Sequence, residues 1–198
     1  MDNLDLLKEI KECLKPDERD ARWSQVECFG GGMGVEYEVG GLLYAVVRAL
    51  KPEIVVETGT FKGFSTLMIA QALKENKAGH VHTIDIEDRG VHDRLRKFGL
   101  ENLATVHIAS STDKIQELAK VLKWVDFLWL DSDHSEEYVK AEVHAAYPLL
   151  KSGTYIAFHD TISDFRENVA IQAIRREHPE WEYIRFSSSR GFDMMRIP

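Results

Sequence analysis

Residues 54–65 read IVVETGTFKGFS, and this stretch decides the fold. An apolar run ends in an acid, Glu57, and continues through two glycines into a helix-like pattern. A chain has this order when a buried parallel strand turns sharply into a helix and a ligand lies against the turn. The spacing is Glu-x-Gly-x-x-x-Gly, which differs from the Gly-x-Gly-x-x-Gly of dinucleotide sites. An acid at the strand end suits a ligand with an amine-bearing part, whereas a pyrophosphate needs only backbone donors.

Strand and helix patterns alternate after this stretch, and they predict a Rossmann-like, doubly wound α/β fold. Predicted strands span residues 54–57, 80–86, 104–109, 125–131 and 154–159, and predicted helices lie near 65–74, 92–98, 114–122, 135–150 and 165–178. Residues 183–186 and 192–197 flank a turn that contains serines and a glycine, which predicts an antiparallel hairpin. We therefore expect a mostly parallel seven-stranded sheet with a C-terminal hairpin, in a single domain over residues 1–198.

The residues before the first strand predict a helix and a lid. Apolar residues at helical spacing predict a short amphipathic helix that Pro16 ends. The glycine-rich segment 30–34 is a candidate lid, with a simple linker as the alternative, and residues 1–35 are interpreted as an N-terminal helix and a lid segment. A second helical face between Val39 and Leu50 ends before Pro52.

Composition and charge limit the classes of partner. The 198 residues carry a net charge of −8, and 44% of them are hydrophobic, as in soluble globular proteins. The acidic balance argues against nucleic acid as a partner, since phosphate binding usually leaves a basic face. Cys13 and Cys28 have no metal-type or redox spacing, and no secretory signal or membrane span is visible. We therefore expect a cytoplasmic protein.

Polar side chains stand where the predicted strands end, which is where open α/β sheets bind ligands. Asp85 ends the second strand and is placed to accept hydrogen bonds from ribose hydroxyls. Gly59 and Gly63 let the backbone approach a ligand closely, and Ser65 opens the next helix as a candidate cap. The alternative is a generic turn between strand and helix with capping acids.

These motifs resemble the class I S-adenosylmethionine-dependent methyltransferases. Within that class they are similar to small metal-dependent O-methyltransferases, of the catechol and caffeoyl-CoA type and of the bacterial macrocin and novobiocin type. Met33-Gly34-Val35 matches the segment that precedes the glycine motif of the catechol enzymes, and residues 57–65 match that motif. The resemblance implies ribose binding by Asp85, adenine packing on Ile86 and contact of Ser111 with the adenine edge. The full predicted set of cofactor-binding residues is Met33, Val35, Glu57, Gly59, Phe61, Gly63, Ser65, Asp85, Ile86, Ser111 and Asp131.

A candidate metal site follows the next two predicted strands. Asp131 ends one of them, and His159 and Asp160 end the next. Two carboxylates and an imidazole at one sheet edge can bind a divalent ion. The resemblance implies that these three positions carry the metal ligands, usually as Asp and Asn side chains, so His159 departs from the family pattern. Mg²⁺ or Mn²⁺ is expected, Fe²⁺ or Zn²⁺ would suit the imidazole, and the alternative is a set of solvated strand-end acids.

The residues after Asp131 supply two candidates for the general base. His134 occupies the position of the catechol enzymes' lysine, and an imidazole titrates near neutrality. Asp133 occupies the position of the base in the similar sugar O-methyltransferases, and both candidates stay open. The remaining histidines are scattered along the chain, and we do not expect them to be ligands. They are His80, His82, His92, His107, His144 and His178.

The leading hypothesis is metal-assisted methyl transfer from S-adenosylmethionine to a hydroxyl group of a small molecule, either a phenol or a sugar. Metal coordination would stabilise the oxyanion and align it with the methyl carbon. Two alternatives stay open, an iron-dependent oxygenase like the cephalosporin-hydroxylase group and a catalytically silent S-adenosylmethionine-binding module. The missing third close glycine argues against a dinucleotide oxidoreductase. Small relatives often form dimers, and a homodimer is therefore an open prediction.

Overall fold

The computed structural model describes residues 34–162, 167–188 and 190–198, which form one seven-stranded sheet with helices. The strands are β1 (Ile54–Thr58), β2 (His80–Asp85), β3 (Ala104–Ile108), β4 (Phe127–Leu130), β5 (Tyr155–His159), β6 (Glu182–Phe186) and β7 (Phe192–Arg196). The predicted N-terminal helix, Met33 and most of the predicted lid lie outside the described residues.

The sheet order confirms the predicted fold class. The strands run in the order β3-β2-β1-β4-β5-β7-β6. β1 to β5 pair in parallel, whereas β7 is antiparallel to both β5 and β6 and lies between them. The chain order reverses between β1 and β4, and open sheets bind ligands at such a switch point, beyond the carboxyl ends of the strands.

Helices cover both faces of the sheet. They are α1 (Tyr37–Leu50), α2 (Phe64–Asn76), α3 (Val91–Lys97), α4 (Ser111–Leu118), α5 (Glu136–Ala146) and α6 (Glu167–Glu177). Apolar side chains of α1, α2 and α3 belong to one hydrophobic core, and those of α4, α5 and α6 belong to a second. Within the described ranges, no helix combines the length and apolar character that crossing a membrane requires.

Two helices differ from their predicted bounds for local reasons. Helix α5 ends at Ala146 instead of residue 150, because Pro148 has no backbone N–H to donate and a 3₁₀ turn (Tyr147–Leu149) follows. Helix α4 begins at Ser111, three residues before the predicted start. Its first turn is polar, so the apolar periodicity did not reveal it.

Gly59 connects the three strands around the switch point. Its N–H donates to the carbonyl of Ile84 in β2 at 2.9 Å, and the N–H of Asp131 donates to the carbonyl of Thr58 at 3.1 Å. Gly59 has φ +80°, and a Cβ atom there would lie 1.9 Å from the Asp131 carbonyl oxygen. A side chain would therefore push the end of β4 away from β1, so this position requires glycine.

We expect Gly59→Ala to lower the free energy of unfolding by about 2–4 kcal/mol, because it adds both a steric clash and a strained φ. Urea denaturation measures the change. Gly153 has φ +88° with no described atom within 4 Å of a Cβ, so Gly153→Ala isolates the φ strain. Gly41→Ala, in α1 with no described atom within that distance, should be neutral or stabilising. Equal losses for Gly59→Ala and Gly153→Ala would contradict the proposed clash.

Candidate active site

The candidate site lies where the carboxyl ends of β1, β2, β4 and β5 meet. Parallel pairing places these ends on one edge, so acids that are far apart in the chain become neighbours. The first of them, Glu57, is fully buried. Its carboxylate oxygens accept hydrogen bonds from the Ser65 hydroxyl and the Thr66 hydroxyl, each at 2.5 Å. Glu57 therefore ties the end of β1 to the first turn of α2.

Burial raises the pKa of Glu57 to about 7, although hydrogen bonds from Ser65, Thr66 and Thr83 act in the opposite direction. The residue before α2 is Gly63, and the Ser65 hydroxyl is directed to Glu57 instead of capping the helix. The predicted contact of Glu57 with an amine-bearing ligand stays a prediction. The geometry shows that Glu57 also has a structural role, because its hydrogen bonds to α2 stabilise the glycine turn.

Asp85 forms a cradle beside the glycine turn. One oxygen accepts a hydrogen bond from the Phe61 N–H at 2.7 Å, and the other accepts one from the Glu87 N–H at 3.1 Å. Phe61 has φ +46°, so the turn holds a non-glycine residue in the left-handed region to direct this N–H. The side chain of the next residue, Ile86, is 78% exposed. A carboxylate and an exposed apolar surface thus lie side by side at the end of β2.

Ser111 belongs to a buried hydrogen-bond network that joins α4 to α5. Its hydroxyl is 2.5 Å from Glu142 Oε1 and 3.0 Å from the Tyr138 hydroxyl. Ser132, in the loop after β4, donates to the same Glu142 oxygen at 2.6 Å. Burial raises the pKa of Glu142 to about 7, against hydrogen bonds from Ser111, Ser132 and Thr58 that lower it. One buried carboxyl therefore positions both the loop after β3 and the loop after β4.

Sequence reasoning missed Glu142, although the sequence carried a signal. The residue lies between Val139 and Val143 on the buried face of α5. An acid on the apolar face of an amphipathic helix needs hydrogen-bond donors inside the protein. Its presence there therefore predicts a buried hydrogen bond to another element.

His159 is fully buried between carboxylates. Its Nδ1 is 3.0 Å from Asp131 Oδ1 and 3.5 Å from Asp160 Oδ1, and its Nε2 is 2.5 Å from Glu36 Oε2. Burial alone would lower its pKa, but Asp131, Glu36 and Asp160 together raise the pKa well above the ordinary value of 6.5. A cationic His159 donates from both nitrogens and holds Asp131 in place. Glu36, which also was not predicted, lies just before α1.

Asp160 contacts two further basic side chains. Arg190, from the loop before β7, pairs with Asp160 Oδ2 and donates to the Gly34 carbonyl at 2.6 Å. His134 Nε2 lies 3.3 Å from the same Asp160 oxygen. Asp160 has φ +55°, an uncommon conformation for a non-glycine residue, which turns its carboxyl into the site. The segment that begins at Gly34 is thereby attached to the ends of the last strands.

The residues present fit a divalent metal ion. One potential ligand atom from each of Asp131, His134 and Asp160 lies within 4.8 Å of the other two. Among the described residues, none donates a hydrogen bond to the buried oxygen Asp160 Oδ1. Both nitrogens of His159, in contrast, face carboxylates. The geometry therefore favours His134 over His159 as the third ligand beside the two acids, and the predicted ligand role of His159 stays a prediction.

The remaining predicted residues surround these groups. Val35 is buried in the first hydrophobic core, and the segment that contains it passes beside the ring of Phe61. Gly63 has φ +82° and leaves no room for a Cβ against Val91. Asp133 is exposed, and its Oδ1 accepts a hydrogen bond from the Ser135 N–H at 2.7 Å, at the start of α5.

Known proteins resemble this chain in sequence and in fold. The sequence model of a family described as a methyltransferase domain matches residues 56–161. The rhamnosyl O-methyltransferase of Mycobacterium tuberculosis strain H37Rv is 31% identical over 122 residues, which cover 59% of this chain and 49% of that protein. The chain thus spans about half the length of this relative.

Solved structures share the fold. The O-methyltransferase TomG from Streptomyces achromogenes, involved in tomaymycin synthesis and solved with SAM, is 20% identical with a TM-score of 0.64, covering 100% of this chain and 99% of that chain. An O-methyltransferase from Bacillus cereus, solved with SAH, is 18% identical with a TM-score of 0.69, covering 98% and 91%.

The family match extends over more than half of the chain, and it runs from the glycine turn to the strand-end acids of β5. Most of the elements on which the sequence resemblance depended lie in this range, and Met33-Gly34-Val35 precedes it. The chain therefore belongs to the methyltransferase family, and its predicted membership of the class I S-adenosylmethionine-dependent methyltransferases is confirmed.

Proposed function

We propose that the protein transfers the methyl group of S-adenosylmethionine to a hydroxyl of a small molecule, with a divalent metal at the Asp131–His134–Asp160 cluster. One observation carries this proposal, namely that the Asp85 cradle and the metal-compatible cluster lie on the same strand edge, on the two sides of Gly59. A nucleoside on the cradle would place its reactive group toward the cluster. The rate of methyl transfer depends on aligning the acceptor oxygen with the methyl carbon. A cofactor site next to a metal site would provide that alignment.

The cofactor's adenosine would lie against β2 and β3. Asp85 would accept the ribose hydroxyls, and the 78% exposed side chain of Ile86 would pack on adenine. Ser111, which Glu142 orients, would contact the adenine edge. Gly59 and Gly63 shape the turn against which the cofactor would lie, and Val35 would border the methionine portion, whereas the predicted contact of Met33 lies outside the described residues. Glu57 supports this surface through Ser65, and Asp131 borders it.

The metal would bind Asp131 and Asp160, with His134 as the third protein ligand. When bound, it would act as a Lewis acid that stabilises the acceptor's oxyanion. Two carboxylates suit Mg²⁺ or Mn²⁺, and the imidazole shifts the preference toward Mn²⁺. If His134 coordinates the metal through Nε2, it cannot also accept a proton at that nitrogen. The exposed Asp133 would therefore remove the acceptor's proton. His159 and Arg190 would hold the two ligand carboxylates in orientation.

The acceptor class that we propose is a sugar hydroxyl. The support is the relative named rhamnosyl O-methyltransferase, together with the Asp-x-Asp-His-Ser-x-x-Tyr pattern of residues 131–138, which resembles the bacterial sugar-modifying branch. The open edge beside exposed Asp133 would admit such a polar molecule.

For the proposed function, the first prediction concerns the cofactor. Asp85→Ala should weaken S-adenosylmethionine binding about 10- to 100-fold, because charge-assisted hydrogen bonds to the ribose are lost. Calorimetry on the folded variant measures the affinity. Asp88→Ala is the matched control, since Asp88 likewise accepts a backbone N–H two residues on, from Gly90 at 2.9 Å, and it should bind normally. Unchanged affinity in Asp85→Ala would remove the ribose assignment.

The second prediction concerns the metal. Chelation should abolish methyl transfer to a panel of sugar acceptors, and added Mn²⁺ should restore it. Asp131→Asn should lower kcat at least about 100-fold, because a ligand charge is lost. His134→Asn should raise the Mn²⁺ concentration needed for half-maximal rate, whereas His92→Asn, an exposed histidine of α3, should not.

The outcomes also separate the alternatives. Full activity of the enzyme in the presence of chelator would contradict the proposed metal requirement. A His134→Asn variant that loses rate even at saturating Mn²⁺ would indicate that His134 is the base. Cofactor binding without turnover would indicate a silent module. Iron-dependent oxygen consumption would indicate an oxygenase.

The third prediction concerns Glu142. Its pKa of about 7 exceeds the ordinary 4.5, so its contribution to stability is full below pH 4.5 and is lost as the pH rises to about 7. Glu142→Gln removes this titration and keeps an oxygen for Ser111 and Ser132. Between pH 5 and 8, the stability of Glu142→Gln relative to wild type should therefore increase by on the order of 2–3 kcal/mol. Urea denaturation at each pH measures it.

The same variants test the role of Glu142 in cofactor binding. Glu142→Gln should retain S-adenosylmethionine affinity, whereas Glu142→Leu, which leaves both serines without their acceptor, should weaken it about tenfold. Glu137→Gln, at an exposed position of the same helix, should match wild type in both assays. A stability difference that stays constant with pH would contradict the raised pKa.

A further inference from the structure

Three histidines that are scattered in the sequence share one face of the sheet. His80 and His82 are two residues apart on β2, so their side chains point to the same face. β3 is the neighbouring edge strand, where Thr105 pairs with His82 and His107 pairs with Ile84. The sequence interpretation did not expect these histidines to act together. The pairing register, which the sequence does not display, brings them into contact.

The rings of His82 and His107 present two nitrogens to one point. His82 Nδ1 lies 3.1 Å from His107 Nε2, and the ring centres are 5.4 Å apart. The His80 ring centre is 5.1 Å from that of His82, with His80 Nε2 at 2.8 Å from the Thr105 hydroxyl. All three histidines are partly exposed, so ions can reach them from solvent.

The separation of the two nitrogens matches metal coordination. Nitrogens bound to one ion at about 2.0–2.1 Å lie about 2.9 Å apart when their bonds are perpendicular and about 3.4 Å apart in a tetrahedron. The observed 3.1 Å falls between these values. Small rotations of the two rings would therefore allow both nitrogens to coordinate one ion in either square-planar or tetrahedral geometry.

The surroundings keep these rings neutral, and a neutral imidazole is the form that binds metal. Burial, with the nearby His80 and His107, lowers the pKa of His82 to about 4. Burial and the charge of Lys114 lower the pKa of His107, and Glu117 partly offsets this. Protons therefore compete weakly for the nitrogens at neutral pH.

We propose that His82 and His107 form a second transition-metal site, at the β2–β3 edge and separate from the Asp131–His134–Asp160 cluster. His80 supplies a third nitrogen after its ring turns from Thr105. An all-imidazole site prefers late first-row ions, so Cu²⁺ binds more tightly than Zn²⁺, and Mg²⁺ does not compete. A bound ion would crosslink the edge strand to β2, the strand that ends at Asp85. The proposal does not depend on the methyltransferase activity.

Copper titration of the full-length chain, without an affinity tag, tests this site. Wild type and Asp131→Asn should both bind Cu²⁺, with paramagnetic resonance splitting from at least two nitrogens. When added to Asp131→Asn, which weakens the other cluster, the double substitution His82→Asn/His107→Asn should lower the Cu²⁺ affinity at least about 30-fold and remove that splitting. His80→Asn should have a smaller effect, and His92→Asn should match wild type, since His92 is an exposed histidine of α3 that pairs with Asp88.

Retained affinity and nitrogen splitting after the double substitution in the Asp131→Asn background would overturn the proposal, as would loss of all binding in Asp131→Asn alone. A measurement on wild type alone avoids any folding defect of the variants. In nitrogen-resolved NMR of the imidazole rings, Zn²⁺ should shift His82 and His107 and leave His92 unchanged. Unshifted His82 and His107 resonances under saturating Zn²⁺ would mean that the contact is only a hydrogen bond.

Discussion

The close approach of Gly59 to the carbonyl of Asp131 is the constraint on which the rest of the site depends. β1 and β4 are the strands between which the chain order reverses, and a turn without a side chain lets them meet. The N–H of Gly59 reaches β2 at the same time. As a result Asp85 lies on one side of the turn and Asp131 on the other, so a nucleoside site and a metal-compatible cluster share one edge of the sheet.

Buried ionisable groups at this edge contact protein partners instead of solvent. Hydroxyl hydrogen bonds favour the charged forms of Glu57 and Glu142, but burial outweighs these bonds and raises the pKa of both acids to about 7. His159 has the opposite balance, since three carboxylates outweigh its burial and keep it cationic. Arg190 adds a second cation beside Asp160. The acids that face the ligand site are therefore held by partners behind them, which limits the reorganisation that binding requires.

Local patterns were sufficient to predict the sheet and the positions of its ligand-side acids. An apolar run that ends in Glu57 before a glycine turn specifies a buried strand and the loop after it, and Asp85 ends a strand in the same way. Partners from distant segments were not predictable in this manner. Glu36 contacts His159 across 123 residues of chain, and Arg190 reaches Asp160 from the C-terminal hairpin. No periodicity encodes such a contact, because it depends on how whole elements pack.

The sequence by itself determined the succession of strands and helices, the glycine turn and the strand-end acids, because each depends on neighbouring residues and on the spacing of apolar side chains. Only the tertiary structure decided which side chains share a site. Strand order places Asp131 beside Asp160, and packing directs His159 toward three acids and His134 toward Asp160. Strand register likewise brings His82 to His107. Side-chain orientation and strand register are properties of the packed sheet. A one-residue shift in the register of two paired strands would separate these groups.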